Sequence, residues 1–147
     1  MNTWILVADG SRARLYQASS RRRFELLLEL NHPAARAHLH EFLTDRLGRV
    51  QQRYAPTIRS AVDPHTDAHQ VEIARFAERL AATLREGLSR NAFSGLVLVA
   101  PPRFLGVLRA HLDHQVARRV VTTLDKDLTA WNERDLVEAL SEQIATL

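Results

Sequence analysis

The chain opens on Trp4-Ile5-Leu6-Val7-Ala8, a nearly continuous apolar run, which predicts a strand covered on both faces. Asp9-Gly10 comes next as a tight-turn signal. From Arg12 to Ala18 the pattern alternates, with Ala13 and Leu15 on one side and Arg14 and Tyr16 on the other. Ser19 to Arg23 reads as a polar connection. Phe24 to Leu30 alternates again, setting Phe24, Leu26, Leu28 and Leu30 against Glu25, Leu27 and Glu29. Three strands with such short links predict an antiparallel meander.

Residues 31–66 carry the least regular pattern. A short helix fits 34–43, and Arg46 to Ala61 reads as a long basic loop broken by Gly48 and Pro56. Loops of that length inside a compact domain are usually functional or disordered. The clearest helix runs from Asp67 to Leu88, with Ile73, Phe76, Ala77, Leu80, Leu84 and Leu88 on one face. Asp67 and Gln70 predict its N-cap. Gly95 to Ala100 is a second buried strand, and Pro102 suits the first turn of a helix carrying Phe104, Leu105, Leu108 and Leu112. Val120 to Leu124 is a β-branched strand. Asn132, with Asp135 three positions on, caps a last helix whose face is Leu136, Val137, Leu140, Ile144 and Leu147.

The predicted order is β-β-β-α-β-α-β-α. Its two later crossovers require parallel, right-handed connections. A three-stranded antiparallel meander followed by βαβ units predicts an α/β fold of ribonuclease-H-like architecture. No repeat or low-complexity linker divides the chain, so residues 1–147 are expected to form a single domain.

The 147 residues suffice for one core without a metal or disulfide, since a chain of this size buries roughly 68–70% of its unfolded surface. No cysteine is present, which excludes disulfides, zinc thiolates and a thiol nucleophile. No apolar run approaches the length of a membrane span. The first residues lack the basic start of a secretory signal, so a cytoplasmic location is expected. Charge is unevenly spread. Residues 1–62 hold ten arginines against five acids, a net of +5. Residues 63–147 hold ten basic residues against twelve acids, a net of −2. Lys126 is the one lysine among twenty basic residues. Guanidinium groups suit bidentate phosphate contacts.

Several stretches together resemble the bacterial host-attachment protein family. They are Trp4 through Arg14, Asp45-Arg46-Leu47-Gly48-Arg49, and Pro64-His65-Thr66-Asp67 with the Phe76 helix behind it. Leu96 through Gly106 and Asp125-Lys126-Asp127-Leu128-Thr129 complete the set, in order over nearly the whole chain. That family is similar to the middle domain of archaeal and eukaryotic release factors and of Pelota. The resemblance implies a ribosome or structured RNA as partner. Release factors of that type carry Gly-Gly-Gln between the third strand and the first long helix. Here the equivalent stretch is Gly48-Arg49-Val50-Gln51-Gln52-Arg53, without that motif. The resemblance therefore implies ribosome binding without peptide release. The family name also implies an indirect role in bacterial attachment to host cells.

Candidate chemistry is sparse, and no cofactor or metal is expected. Asp9, at the end of the first strand, stands where ribonuclease-H-type nucleases keep a metal-binding acid. It is the catalytic candidate for an alternative function, a metal-dependent phosphodiesterase. The second buried strand ends on Pro101 and offers no partner carboxylate, and Asp9 before Gly10 also suits a turn. His65 and His69 lie four apart, as two helical zinc ligands would, but a third ligand is missing. His65, Asp67, Arg103 and Lys126 form a candidate ligand site, because Arg103 and Lys126 lie where α/β sheets place ligands, after strand C-termini. Asp125-Lys126-Asp127 either pairs with the arginine-rich half or caps the turn after it. The strongest feature is basic. Arg12, Arg14, Arg46, Arg49, Arg53 and Arg59, with Arg21, Arg22 and Arg23, are expected to contact nucleic-acid phosphates from the meander and the long loop. Tyr16 and Tyr54 are the nearby aromatics, too few for base stacking to dominate. The sequence leaves the oligomeric state open.

Overall fold

A computed structural model of the protein describes residues 2–34 and 64–145. The expected helix at 34–43 lies, beyond its first residue, outside the described residues. So does the basic loop with Arg46, Arg49, Arg53 and Arg59. The meander consists of β1 (Thr3–Ala8), β2 (Arg12–Ser20) and β3 (Arg23–Asn31). After it come helix α1 (Pro64–Ser89), strand β4 (Gly95–Val99), helix α2 (Pro102–His111), the short helix α3 (His114–Ala117), strand β5 (Val120–Leu124) and helix α4 (Glu133–Ala145). The five strands form one sheet in the order β3-β2-β1-β4-β5. β1 pairs antiparallel with β2 and parallel with β4, and β5 continues parallel beside β4. The mixed α/β fold and the order of elements agree with the reading of the sequence, with α3 added.

Period-two alternation divides the core between the two faces of the sheet. On one face Trp4, Leu6, Ala8, Ala13, Leu15, Leu96 and Leu98 pack under Phe76, Leu80 and Leu84 of α1 and Phe104 and Leu108 of α2. On the other, Ile5, Val7, Tyr16, Ala18, Phe24, Val97 and Val99 meet Leu136, Leu140 and Ile144 of α4. All six residues of β1 are buried, as its apolar run demands. The unforeseen α3 is anchored by Val116, which is wholly buried against the α1 side. Asp113 caps it, accepting from the Gln115 amide at 2.8 Å.

β3 departs from the expected alternation. Leu15 pairs with Leu28 and Tyr16 with Leu26, so Leu27 is surplus and forms a bulge. Phe24 therefore faces the α4 layer, while Leu28 and Leu30 face the α1 layer. The same shift carries Glu29 to the α4 side, directly opposite Arg14.

α1 begins at Pro64, three residues before the expected Asp67 cap, because Pro is favoured in a first turn. His65 and Asp67 therefore lie on the helix and not ahead of it. Its far end closes through Asn91, held at φ 59 in the left-handed region, with the Ala92 amide donating to the Gly87 carbonyl at 2.9 Å. Gly87 is required by a close approach. A Cβ there would stand 2.5 Å from Cζ3 of Trp4. Asn132 caps α4 as expected, accepting from the Asp135 amide at 2.8 Å.

Candidate nucleic-acid interface

The sheet has two ends of different character. Its C-terminal end gathers Asp9, Arg12, the end of β3 and the segment from Asp125 to Asn132. Its N-terminal end gathers the β2–β3 turn, the close of α1 and the residues before β5.

At the C-terminal end, Asp9 organises the β1–β2 turn. Its Oδ1 accepts from the Ser11 and Arg12 amides, each at 2.9 Å, and its Oδ2 accepts from Arg12 Nε at 3.2 Å. The Asp9 amide donates to the Arg12 carbonyl at 2.9 Å. The expected hairpin turn is thus built by a carboxylate folding back on the chain, and no glycine among the described residues adopts a positive φ. Thr129 Oγ1 lies 3.2 Å from Asp9 Oδ2 and 2.6 Å from Asp127 Oδ1, and its one proton goes to the nearer carboxylate. Asp127 also accepts from the Thr129 amide at 3.1 Å. Asp127 thus caps the turn after β5, the second of the two roles open to Asp125-Lys126-Asp127.

Arg14 is engaged within the fold. One terminal nitrogen donates to Tyr16 Oη at 2.8 Å. The other donates to the carbonyls of Thr129 at 2.9 Å and Trp131 at 2.6 Å. Burial raises the Tyr16 phenol above its usual range, against the lowering pull of Arg14, with Glu133 and Glu29 adding to the rise. Beside these groups lies a cavity of about 380 Å³ lined by Arg12, Arg14, Glu29, Asn31, Thr129 and Trp131.

Further along this end, His32 Nε2 and Glu72 Oε1 are 2.8 Å apart. Arg75 donates to the second Glu72 oxygen at 2.9 Å. Arg79 donates to the Asn31 carbonyl at 3.0 Å and approaches His32 Nδ1 at 3.3 Å. The cluster, which sequence reading missed, ties the end of β3 to α1. Its two halves lie forty or more positions apart, so spacing gave no signal.

Arg103, at the start of α2, and Lys126, after β5, are both exposed at this end. α1 also begins here, since Ile73 packs 3.3 Å from where a Gly10 Cβ would be. That places the backbone of His65 and Asp67 beyond the same end. Among the described residues, no group of three or more His, Cys, Asp or Glu could hold a metal ion. No described helix is long and apolar enough to cross a membrane.

Arg21, Arg22 and Arg23 do not join Arg12 and Arg14. They lie at the opposite end of the nine-residue β2, around its turn into β3. At roughly 3.3 Å per residue, that separates them from Arg12 by nearly the full height of the sheet.

Comparison with solved structures finds the same fold in the archaeal translation termination factor aRF1. The TM-score is 0.51 at 10% identity, over 99% of this chain and 39% of that one. A second structure, described as an archaeal protein, gives a TM-score of 0.45 at 13% identity over 99% of this chain and 36% of that one. The chain therefore spans well under half the length of either. Comparison with curated proteins finds no match. The fold is thus that of one part of a release factor. Residues 4–140 match the family described as "Protein required for attachment to host cells", and the chain belongs to that family.

Proposed function

We propose that this chain is a non-catalytic RNA- or ribosome-associated binding domain. The observation that carries this reading is the likeness of nearly the whole chain to part of a translation termination factor. Asp9 supports the non-catalytic half. Its oxygens accept from two backbone amides and a guanidinium, which supports a role in the turn. An equivalent of the Gly-Gly-Gln motif is missing from residues 48–53, so binding and not hydrolysis is the activity proposed. Any part in attachment to host cells would then be indirect, through the translated proteins.

Co-sedimentation with ribosomes tests the reading. Wild-type protein is expected in the ribosomal pellet at low salt and in the supernatant at high salt, because phosphate contacts release counterions. Arg49→Glu and Arg53→Glu are expected to weaken pelleting, and Asp9→Asn to leave it unchanged. Wild-type protein that stays in the supernatant at low salt overturns the proposal.

A further inference from the structure

Ten of the described arginines gather in two groups at the two ends of the sheet. At the C-terminal end four are spent inside the fold: Arg12 on Asp9, Arg75 on Glu72, Arg79 on Asn31 and His32, and Arg14 on backbone carbonyls, while Arg103 stands exposed. At the N-terminal end the other six are not so spent. Arg21 and Arg22 form the β2–β3 turn and Arg23 opens β3. Arg90 comes after α1, and Arg118 and Arg119 stand between α3 and β5. All six are exposed, and no ion pair joins their side chains to an acid among the described residues.

The pairing of the strands brings these three separate segments to one edge. Ser20 pairs with Arg23, Ala18 with Thr3, and Thr3 with Gly95. The Arg119 carbonyl accepts from the Leu96 amide at 2.9 Å, and the Ser94 amide donates to the Asn2 carbonyl at 2.8 Å. With about 4.8 Å between strands, the row spans roughly 20 Å. The nearest acids along the chain are Glu25, two positions beyond Arg23 on β3, and Glu86 and Asp113, on or beside the flanking helices; none of them forms an ion pair with any of the six among the described residues, and Asp113 serves the Gln115 amide. Six such guanidiniums concentrate positive charge along one edge, and adjacent ones such as Arg21 to Arg23 and Arg118 with Arg119 repel one another over the roughly 8 Å that physiological salt leaves unscreened. A polyanion with regularly spaced charges relieves that repulsion. Guanidinium forks suit phosphate oxygens in particular.

We infer that this edge is a binding surface for the phosphate backbone of structured RNA. The inference rests on the proposed function and deepens it by naming a surface other than the long basic loop. The edge offers no exposed aromatic ring among its six residues, so it reads backbone charge and shape, not bases.

The test is fluorescence anisotropy of a labelled RNA hairpin titrated with full-length protein at graded KCl. Two neutralised variants probe the two ends of the row, Arg21→Gln/Arg22→Gln/Arg23→Gln and Arg118→Gln/Arg119→Gln. A control, Arg134→Gln in the exposed first turn of α4, probes the opposite end of the sheet. Circular dichroism checks that each is folded; these side chains are exposed and lie outside the core. Each edge variant is expected to bind roughly tenfold or more weakly at low salt, with the slope of log K against log salt falling by about one per arginine in contact. The control is expected to bind as the wild type does. Edge variants that keep wild-type affinity and slope overturn the inference, as does a loss confined to the control. Wild type that binds no hairpin at low salt overturns it too. Equal binding to anionic lipid vesicles, competing with the hairpin, overturns the choice of RNA. Ribosome pelleting of the edge variants separates this inference from the broader reading. Undiminished pelleting removes the edge and leaves the domain's role standing. Hairpin binding through the edge by a wild type that never pellets does the reverse.

Discussion

The Arg14 guanidinium donates to the Trp131 carbonyl at 2.6 Å, joining β2 to the segment before α4 across 117 positions of sequence. With its bonds to Thr129 and Tyr16, it fastens that segment over the end of the sheet. Arg14→Ala removes a charged donor from Tyr16 Oη and the carbonyls of Leu128, Thr129 and Trp131. It is expected to cost about 2–3 kcal/mol in urea denaturation. Arg14→Lys should recover only part of this, because an ammonium lacks the planar fork. A red shift in the emission of Trp131, already 41% exposed, would report loosening of the segment.

Gly87 and Trp4 make a second exacting contact. Gly87→Ala gains helix propensity worth about 1 kcal/mol but drives a methyl into the indole. A net loss of about 1–3 kcal/mol is expected. Since Trp4 lies against Phe93 with ring centroids 4.6 Å apart, its near-ultraviolet dichroism should change as well. Unchanged stability would mean that α1 can shift without penalty.

Tyr16 predicts an alkaline weakness. Its phenol is raised above the ordinary 10.0, chiefly by burial, so the folded state holds the proton more tightly than the unfolded chain. The resulting stability is fully present below pH 10 and is lost as pH rises through the folded value. Thermal melts at increasing alkalinity should show falling stability in wild type and a flatter profile in Tyr16→Phe. Tyr54 is the other tyrosine, so phenolate absorbance in Tyr54→Phe tracks Tyr16 alone.

Deleting Leu27 tests the bulge. Without the surplus residue, β3 can satisfy one half of its pairing but not both. Either Phe24 or the pair Leu28 and Leu30 must turn away from its core. A loss of about 2–4 kcal/mol is expected in chemical denaturation. Wild-type stability would show that the strand re-registers freely.

Most of the fold was legible because each element announces a period. β1 is apolar throughout, and it lies in the middle of the sheet between strands of both directions. The apolar stripe of α1 and the Asn132 cap also stand where the sequence places them. The bulge was not legible, because four leucines and a phenylalanine in seven residues satisfy more than one phase. Nor was α3, four residues long and held by the burial of Val116. The candidate interface was legible in composition but not in arrangement. Arg12, Arg14 and Arg21 to Arg23 look like one basic cluster along the chain, yet a nine-residue strand carries them to opposite ends. Arg90, Arg118 and Arg119 look isolated until the crossovers bring them to the same end as the β2–β3 turn.

The surplus residue in β3 has a mechanical consequence. An outermost strand of uniform phase would be gripped by one layer and free to peel from the other side. Here its first half is anchored beneath α4 and its second half beneath α1. Prying it loose must open both hydrophobic layers together. Its amides bonded to β2 should therefore exchange with solvent as slowly as those of interior strands.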